Sequence, residues 1–89
     1  MGDCSAMQTK LQEGPGSIVI CVNDNFQSYS SGVFDGCSGC TVTNHAVLLY
    51  GYTRAGHWRI KNSWGKSWGM NGHMKVKSGN TCIVCQRGV

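Results

Sequence analysis

Eighty-nine residues allow one domain at most, and a chain this short buries only about 60–65% of its unfolded surface, so its stability is marginal without staples. Apolar residues make up 40% and charged residues 13%, with thirteen glycines and one proline; that is too apolar for a disordered segment and too glycine-rich for a helical bundle. The formal charge of +4, from eight Lys/Arg against four Asp/Glu, is scattered and forms no basic cluster interleaved with aromatics, which argues against a nucleic-acid surface.

Ser5-Ala6-Met7-Gln8 has the Ser-x-x-Gln form of a capping box, and good helix formers continue to Glu13, where Gly14-Pro15 stops them. A helix over 1–14 is therefore expected, followed by a β-rich barrel segment over 15–89. Over 17–22, Ile18, Ile20 and Val22 alternate with Val19 and Cys21, so both faces are apolar and a strand covered on both sides is expected. Asn23-Asp24-Asn25 marks a turn or cap before a short helical segment reaching Tyr29, with Phe26 and Tyr29 three apart. Residues 32–40 read as a glycine-rich loop. Residues 46–52 read as a buried strand, and Arg54-Ala55-Gly56 as the turn into a strand over 57–62. A loop with Trp68 and three glycines covers 65–72, a further strand 73–77, and Ser78-Gly79-Asn80 turns into a short tail. Arg59, Lys61, Lys75 and Lys77 fall at alternate positions, the mark of a solvated sheet face. The fold class that follows is α+β and mainly antiparallel: a curled sheet or half-barrel with an N-terminal helix.

The six cysteines fall at Cys4, Cys21, Cys37-x-x-Cys40 and Cys82-x-x-Cys85, and their density suggests an oxidising compartment. Two Cys-x-x-Cys pairs invite a zinc reading, since four thiolates give a closed tetrahedral site. However, 41 residues separate the pairs, and neither has the glycine that zinc knuckles carry after the second cysteine. Redox chemistry has weaker support still, because neither pair opens a helix after a strand. No metal and no cofactor is expected, although a small zinc-stapled β module stands as one rival reading. No apolar run approaches the roughly 20 residues of a membrane span, and the N-terminus lacks a signal peptide's apolar core. A chain from an oxidising compartment without its own signal implies that a signal peptide, a propeptide or a whole half-domain has been lost upstream.

The chemistry-bearing pattern is Asn44-His45-Ala46-Val47 with Lys61-Asn62-Ser63-Trp64-Gly65 following. A histidine opening one apolar strand and an asparagine closing the next meet only if the two strands pair as a hairpin. Two members of a Cys/His/Asn triad would then be in place, in which an asparagine carbonyl accepts one imidazole N–H and fixes the ring. A lone strand histidine beside a lone asparagine is more often satisfied polar packing, so the context decides.

That context is Gly14-Pro15; Phe26-x-x-Tyr29-x-x-Gly32-Val33-Phe34; Asn44-His45-Ala46-Val47-Leu48-Leu49-Tyr50-Gly51-Tyr52; and Trp58-x-Ile60-Lys61-Asn62-Ser63-Trp64-Gly65-x-x-Trp68-Gly69-x-Asn71-Gly72. In order and approximate spacing these segments resemble the C-terminal barrel half of the papain-like (cathepsin-type) cysteine peptidases. The resemblance implies His45 as general acid/base and Asn62 as the residue that orients it. It implies Trp64 as the indole covering that pair and Trp68 as the wall of the leaving-group side of the cleft. Ala46 and Thr43 match positions lining the main specificity pocket, and Arg87 falls near a tail position that can floor it. The family's Cys-Gly-Ser/Ala-Cys-Trp/Tyr nucleophile motif has no counterpart here, and no nucleophile is assigned. Cys4 precedes a helix, as an activated thiolate does, but that helix aligns with the one before the first barrel strand, which is the wrong element.

The resemblance also implies one bridge from Cys37 or Cys40 to Cys82, with the other member of the first pair free to join Cys85. Cys21 is then an apolar filler and Cys4 is left exposed. The implied partners are protein or peptide substrates, the cysteine-bearing N-terminal half of the peptidase, and a propeptide or cystatin-like inhibitors, with no nucleic acid and no membrane. The implied location is lysosomal or secreted. Alone, the chain is expected to be inert towards peptides. Besides the zinc module, a non-catalytic truncated remnant or binding module stands as the second rival.

Overall fold

The computed structural model describes residues 4–37, 39–40 and 42–85. In chain order the elements are helix α1 (Cys4–Leu11), strand β1 (Gly16–Ile20), helix α2 (Asp24–Gln27), and strands β2 (Val33–Phe34), β3 (His45–Tyr52), β4 (Trp58–Lys61) and β5 (His73–Val76). A 3-10 turn (Thr81–Ile83) follows. The five strands form one open sheet in the order β1-β3-β4-β5-β2, antiparallel throughout except that β2 runs parallel to β5. The mainly antiparallel α+β reading therefore holds.

α1 is shorter than the helix expected over 1–14. Ser5 lies inside it instead of capping it, and its backbone oxygen accepts a bond from the Thr9 hydroxyl at 3.1 Å. Single-turn bonds carry the chain from Gln12 to Gly14, whose φ of +132° ends the helix as glycine permits. α2 begins where Asn23 accepts the Phe26 N–H with its side chain, so the Asn-Asp-Asn run is a true N-cap.

The core lies on one face of the sheet. Ile18 and Ile20 of β1, Val47 and Leu49 of β3, Trp58 and Ile60 of β4, and Met74 and Val76 of β5 interdigitate there, with Phe26 packed against them. Trp58 is fully buried and its indole N–H donates to the Gly79 carbonyl at 2.8 Å, so its polar edge is satisfied. The expectations of a strand covered on both sides over 17–22 and of a buried strand over 46–52 are corrected. On β3, Ala46, Leu48, Tyr50 and Tyr52 alternate outward and are exposed, and on β1 Val19 is only half-buried. Period-2 geometry sends every second side chain to the outer face whatever its polarity, and no element of the described residues covers that face. Of the alternating basic residues, Arg59, Lys61 and Lys77 are exposed and Lys75 is half-exposed. Lys77 meets Asp35 at 3.3 Å, an exposed pair of small energetic consequence.

Tyr29 ties α2 to the far edge of the sheet. Its O–H donates to the Gly32 carbonyl at 2.6 Å, and its oxygen lies 3.4 Å from the Lys75 N–H. Burial raises its pKa above the ordinary value of 10.0, and the Lys75 N–H opposes that. The folded state thus keeps the phenol proton where the unfolded chain loses it, so this contribution is complete below pH 10 and is lost as pH climbs above it. Urea titrations from pH 8 to 11 should show wild type about 1 kcal/mol more stable than Tyr29→Phe at the lower end. That margin shrinks above pH 10; a margin independent of pH excludes the titration of Tyr29 as its source.

Candidate active site

The β3–β4 hairpin assembles the site. Leu48 faces Lys61 and Leu49 faces Ile60. Continuing that antiparallel register sets Asn62 level with Val47 and Trp64 level with His45, so residues 17 positions apart in sequence become lateral neighbours. His45 Nε2 lies 2.8 Å from Asn62 Oδ1. The same Oδ1 accepts the Ser63 N–H at 2.8 Å.

That second bond fixes the chemistry of the first. An amide oxygen facing the Ser63 N–H cannot be exchanged with the amide nitrogen without setting two donors against each other. Oδ1 is therefore the acceptor towards His45, and Nε2 must carry a proton. In the neutral ring the lone pair then belongs to Nδ1, for which no hydrogen-bond partner occurs among the described residues. The Asn62 side chain is buried, and its Nδ2 finds no acceptor among the described residues. Such a donor costs about 1–3 kcal/mol, so Asn62 sits here for its oxygen and at the expense of stability.

Two aromatic rings also pack against the imidazole. Trp64 lies with its ring centroid 4.9 Å from that of His45, tilted by 40°. Phe26, fully buried, meets His45 and Trp64 edge-on at 6.0 and 5.5 Å and stacks on Trp68 at 5.1 Å. The Trp68 indole N–H donates to the Phe26 carbonyl at 3.2 Å. The two indoles are unequally placed: Trp64 is 39% exposed and Trp68 only 8%. Trp68, expected as a cleft wall, presents little surface and buttresses Phe26 and Trp64, while Trp64 supplies the open aromatic face beside His45. Gly69 makes this possible, with φ of +61° and a Cβ position that would lie 2.7 Å from the His73 carbonyl.

Ala46 lines an open concavity of about 350 Å³ together with Ser17, Val47, Leu48, Lys61, Asn62 and Ser63. Thr43 is half-buried in the loop before His45 and is not among the lining residues. Arg87, read as a pocket floor, lies outside the described residues.

The entry to β3 is clamped in ways the sequence did not announce. Asn44 accepts the Val22 N–H at 2.9 Å with Oδ1 and donates Nδ2 to the Val22 carbonyl at 3.1 Å, while its own N–H bonds the Ile20 carbonyl. The β1–β3 ladder, which pairs Ile20 with His45, is thereby extended past the histidine. This extension also decides the disulfides, which are Cys4–Cys85, Cys21–Cys40 and Cys37–Cys82. Cys37 takes Cys82, but Cys40 does not take Cys85, Cys21 is no free filler and Cys4 is not left free. The ladder carries Cys21 alongside the loop that enters β3, and the Cys21 N–H donates to the Cys82 carbonyl at 2.9 Å, so four cysteines converge there. Cys4 at the start of α1 is left to Cys85, whose N–H is held by Asn80 Oδ1. With all six sulfurs paired, neither Cys-x-x-Cys is a zinc pair and Cys4 is no free nucleophile. Among the described residues no helix is long and apolar enough to cross a membrane.

An open, mainly antiparallel sheet thus sets a histidine on an asparagine carbonyl beside the Trp64 indole. The chain belongs to the papain family of cysteine proteases, whose family description matches residues 2–89. It is 39% identical over 82 residues to cathepsin L 2 of Paramecium tetraurelia, and 40% identical over 77 residues to gamete and mating-type specific protein A of Dictyostelium discoideum. The matches cover 92% and 85% of this chain but only 25% and 17% of those relatives, so the chain spans about a quarter or less of their length. Digestive procathepsin L 3 from the larval midgut of Tenebrio molitor superposes with a TM-score of 0.86 at 32% identity, over 98% of this chain and 31% of that one. The bromelain protease of Ananas comosus, solved with the E64 inhibitor, gives 0.81 at 33% identity, over 97% and 44%.

Proposed function

We propose that this chain is the acid/base half of a papain-family cysteine peptidase, with His45 as the general acid/base and Asn62 as its positioning residue. The observation that carries the reading is the 2.8 Å Nε2···Oδ1 bond, which leaves Nδ1 as the working nitrogen. With a cysteine thiol opposite, Nδ1 takes its proton and the resulting imidazolium holds the thiolate by charge. Attack on a peptide carbonyl gives a thioester, and Nδ1–H delivers its proton to the departing amine. Nδ1 then takes a proton from water as that water opens the thioester. Asn62 holds Nε2–H throughout, and an uncharged amide suffices because the charge partner is the thiolate.

The nucleophile comes from sequence outside this chain, and protein or peptide substrates lie in the cleft between the two parts. The exposed Leu48, Tyr50, Tyr52 and Trp64 are apolar surface that such a part would cover, and a propeptide or inhibitor would reach the same side. The three disulfides fit a secreted or lysosomal setting.

The test is a chimera in which this chain replaces the matching segment of a cathepsin L that retains its own cysteine-bearing half. It should hydrolyse a fluorogenic dipeptidyl substrate and take an epoxide label on that cysteine, while the isolated chain does neither. Hydrolysis or labelling by the isolated chain overturns the reading, as does a folded, labelled chimera whose turnover survives His45→Ala. A folded, labelled chimera that never turns over favours the non-catalytic binding module instead.

A further inference from the structure

The Cys21–Cys40 bridge stands in an unusual place relative to the chemistry. Cys21 follows Ile20, the residue paired with His45, and Cys40 lies five residues before His45 in the loop that delivers it. The same loop is pinned again at Cys37, through Cys82, whose carbonyl accepts the Cys21 N–H at 2.9 Å. The two cystines and the Asn44 clamp on Val22 thus tie the chain entering β3 to Cys21, Val22 and Cys82, while His45 itself is held by its pairing with Ile20, by Asn62 and by the rings of Phe26 and Trp64. The loop has little else to hold it: Val42 is exposed, and Thr43 is half-buried outside any strand. Cys21 is buried, whereas Cys40 is only partly buried.

We infer that the Cys21–Cys40 cystine is a positioning device for His45, one that makes the acid/base pair sensitive to redox state. Closed, it holds the residue after Ile20 against the loop, so that His45 enters β3 in the single register that brings Nε2 onto Asn62. Opened by a dithiol reductant, which leaves as its cyclic disulfide while Cys21 and Cys40 each gain a proton as thiols, it frees the loop at Cys40. Beyond the β1–β3 and β3–β4 pairing, the segment entering β3 is then held only at Cys37–Cys82 and by the Asn44 hydrogen bonds, whose two side-chain members are exposed and compete with water. The inference rests on reading His45 and Asn62 as the working pair, but its readouts need no partner half and no substrate.

The experiment is a ¹⁵N spectrum of the His45 ring in the isolated oxidised chain, in Cys21→Ser/Cys40→Ser, and in Cys4→Ser/Cys85→Ser as a control. Oxidised chain and control should show one dominant tautomer, protonated at Nε2. The first double variant should lose that signature and move towards the mixture of a free imidazole. Retention of the Nε2–H tautomer in a folded Cys21→Ser/Cys40→Ser chain overturns the inference, as does an equal loss in a control that is folded at the temperature of the spectrum. Should either double variant fail to fold, hydrogen exchange on the intact oxidised chain decides. The Val22 and Asn44 amides should exchange at least about tenfold more slowly than that of Gly56 in the β3–β4 turn. Exchange at the turn's rate with the bridge intact overturns the assignment. Failure of the chimera to turn over would leave these results standing, and their failure would leave the chimera's activity standing.

Discussion

In a chimera supplied with a cysteine, His45→Ala should lower kcat/KM by about 10²–10⁴-fold, the range for losing a positioned general acid/base. Asn62→Ala should cost less, because the imidazole remains, but its effect should fall on kcat and leave KM nearly unchanged. The reason lies in the doubly used Oδ1. Without it the Ser63 N–H and the His45 Nε2–H both lose their acceptor, the ring is free to flip, and Nδ1 faces the thiol only part of the time. Asn62→Asp separates orientation from charge. It retains an acceptor for His45 and Ser63, but puts a charged oxygen where Nδ2 now lies buried without a partner. Its activity should therefore exceed that of Asn62→Ala while its stability falls below that of wild type. Steady-state kinetics with urea unfolding of the same three variants checks this. Equal kcat in wild type and Asn62→Ala would remove Asn62 from any role in orienting the ring.

How much of this was legible beforehand differs from residue to residue. The meeting of His45 and Asn62 could be read because it follows from one hairpin and a motif rich in tryptophan and glycine, and both are local features. Phe26 was visible only as one of two aromatics three apart in a short helix. Nothing in that spacing says that its ring will lie under His45, Trp64 and Trp68 at once, since the contact spans 19 to 42 positions of sequence. The same limit hid Asn44: an asparagine before a histidine reads as a turn residue until β1 is known to lie alongside. β2 escaped for another reason, being two residues long inside a glycine-rich stretch, too short for any period to register. The one-sided burial of β3 was misread because residues 46–52 are apolar on both faces, and composition cannot say whether the second face has a cover. The disulfides depended on the β1–β3 register, which no spacing of cysteines encodes.

Those disulfides also set the largest stability effect expected in the chain. Cys4–Cys85 joins residues 81 apart, Cys37–Cys82 residues 45 apart and Cys21–Cys40 residues 19 apart. Loop-closure entropy alone assigns them about 4.5, 4.0 and 3.2 kcal/mol at 25 °C. A domain of this size has only about 5–15 kcal/mol in total, and one with an uncovered apolar face belongs near the lower end. Cys4→Ala/Cys85→Ala should therefore be the most damaging of the three paired replacements, leaving the chain largely unfolded at 37 °C. Cys21→Ala/Cys40→Ala should be the mildest. Packing points the same way, since α1 buries only Met7 and has Cys4–Cys85 as its sole covalent hold on the tail. The order of midpoints in urea, measured on oxidised variants with the other two bridges intact, decides it. A greater loss for Cys21–Cys40 than for Cys4–Cys85 would show that native contacts around that short loop outweigh chain entropy. The bridge that matters least for global stability is thus the one set beside the histidine, because a short loop constrains the unfolded chain little while fixing its own neighbourhood closely.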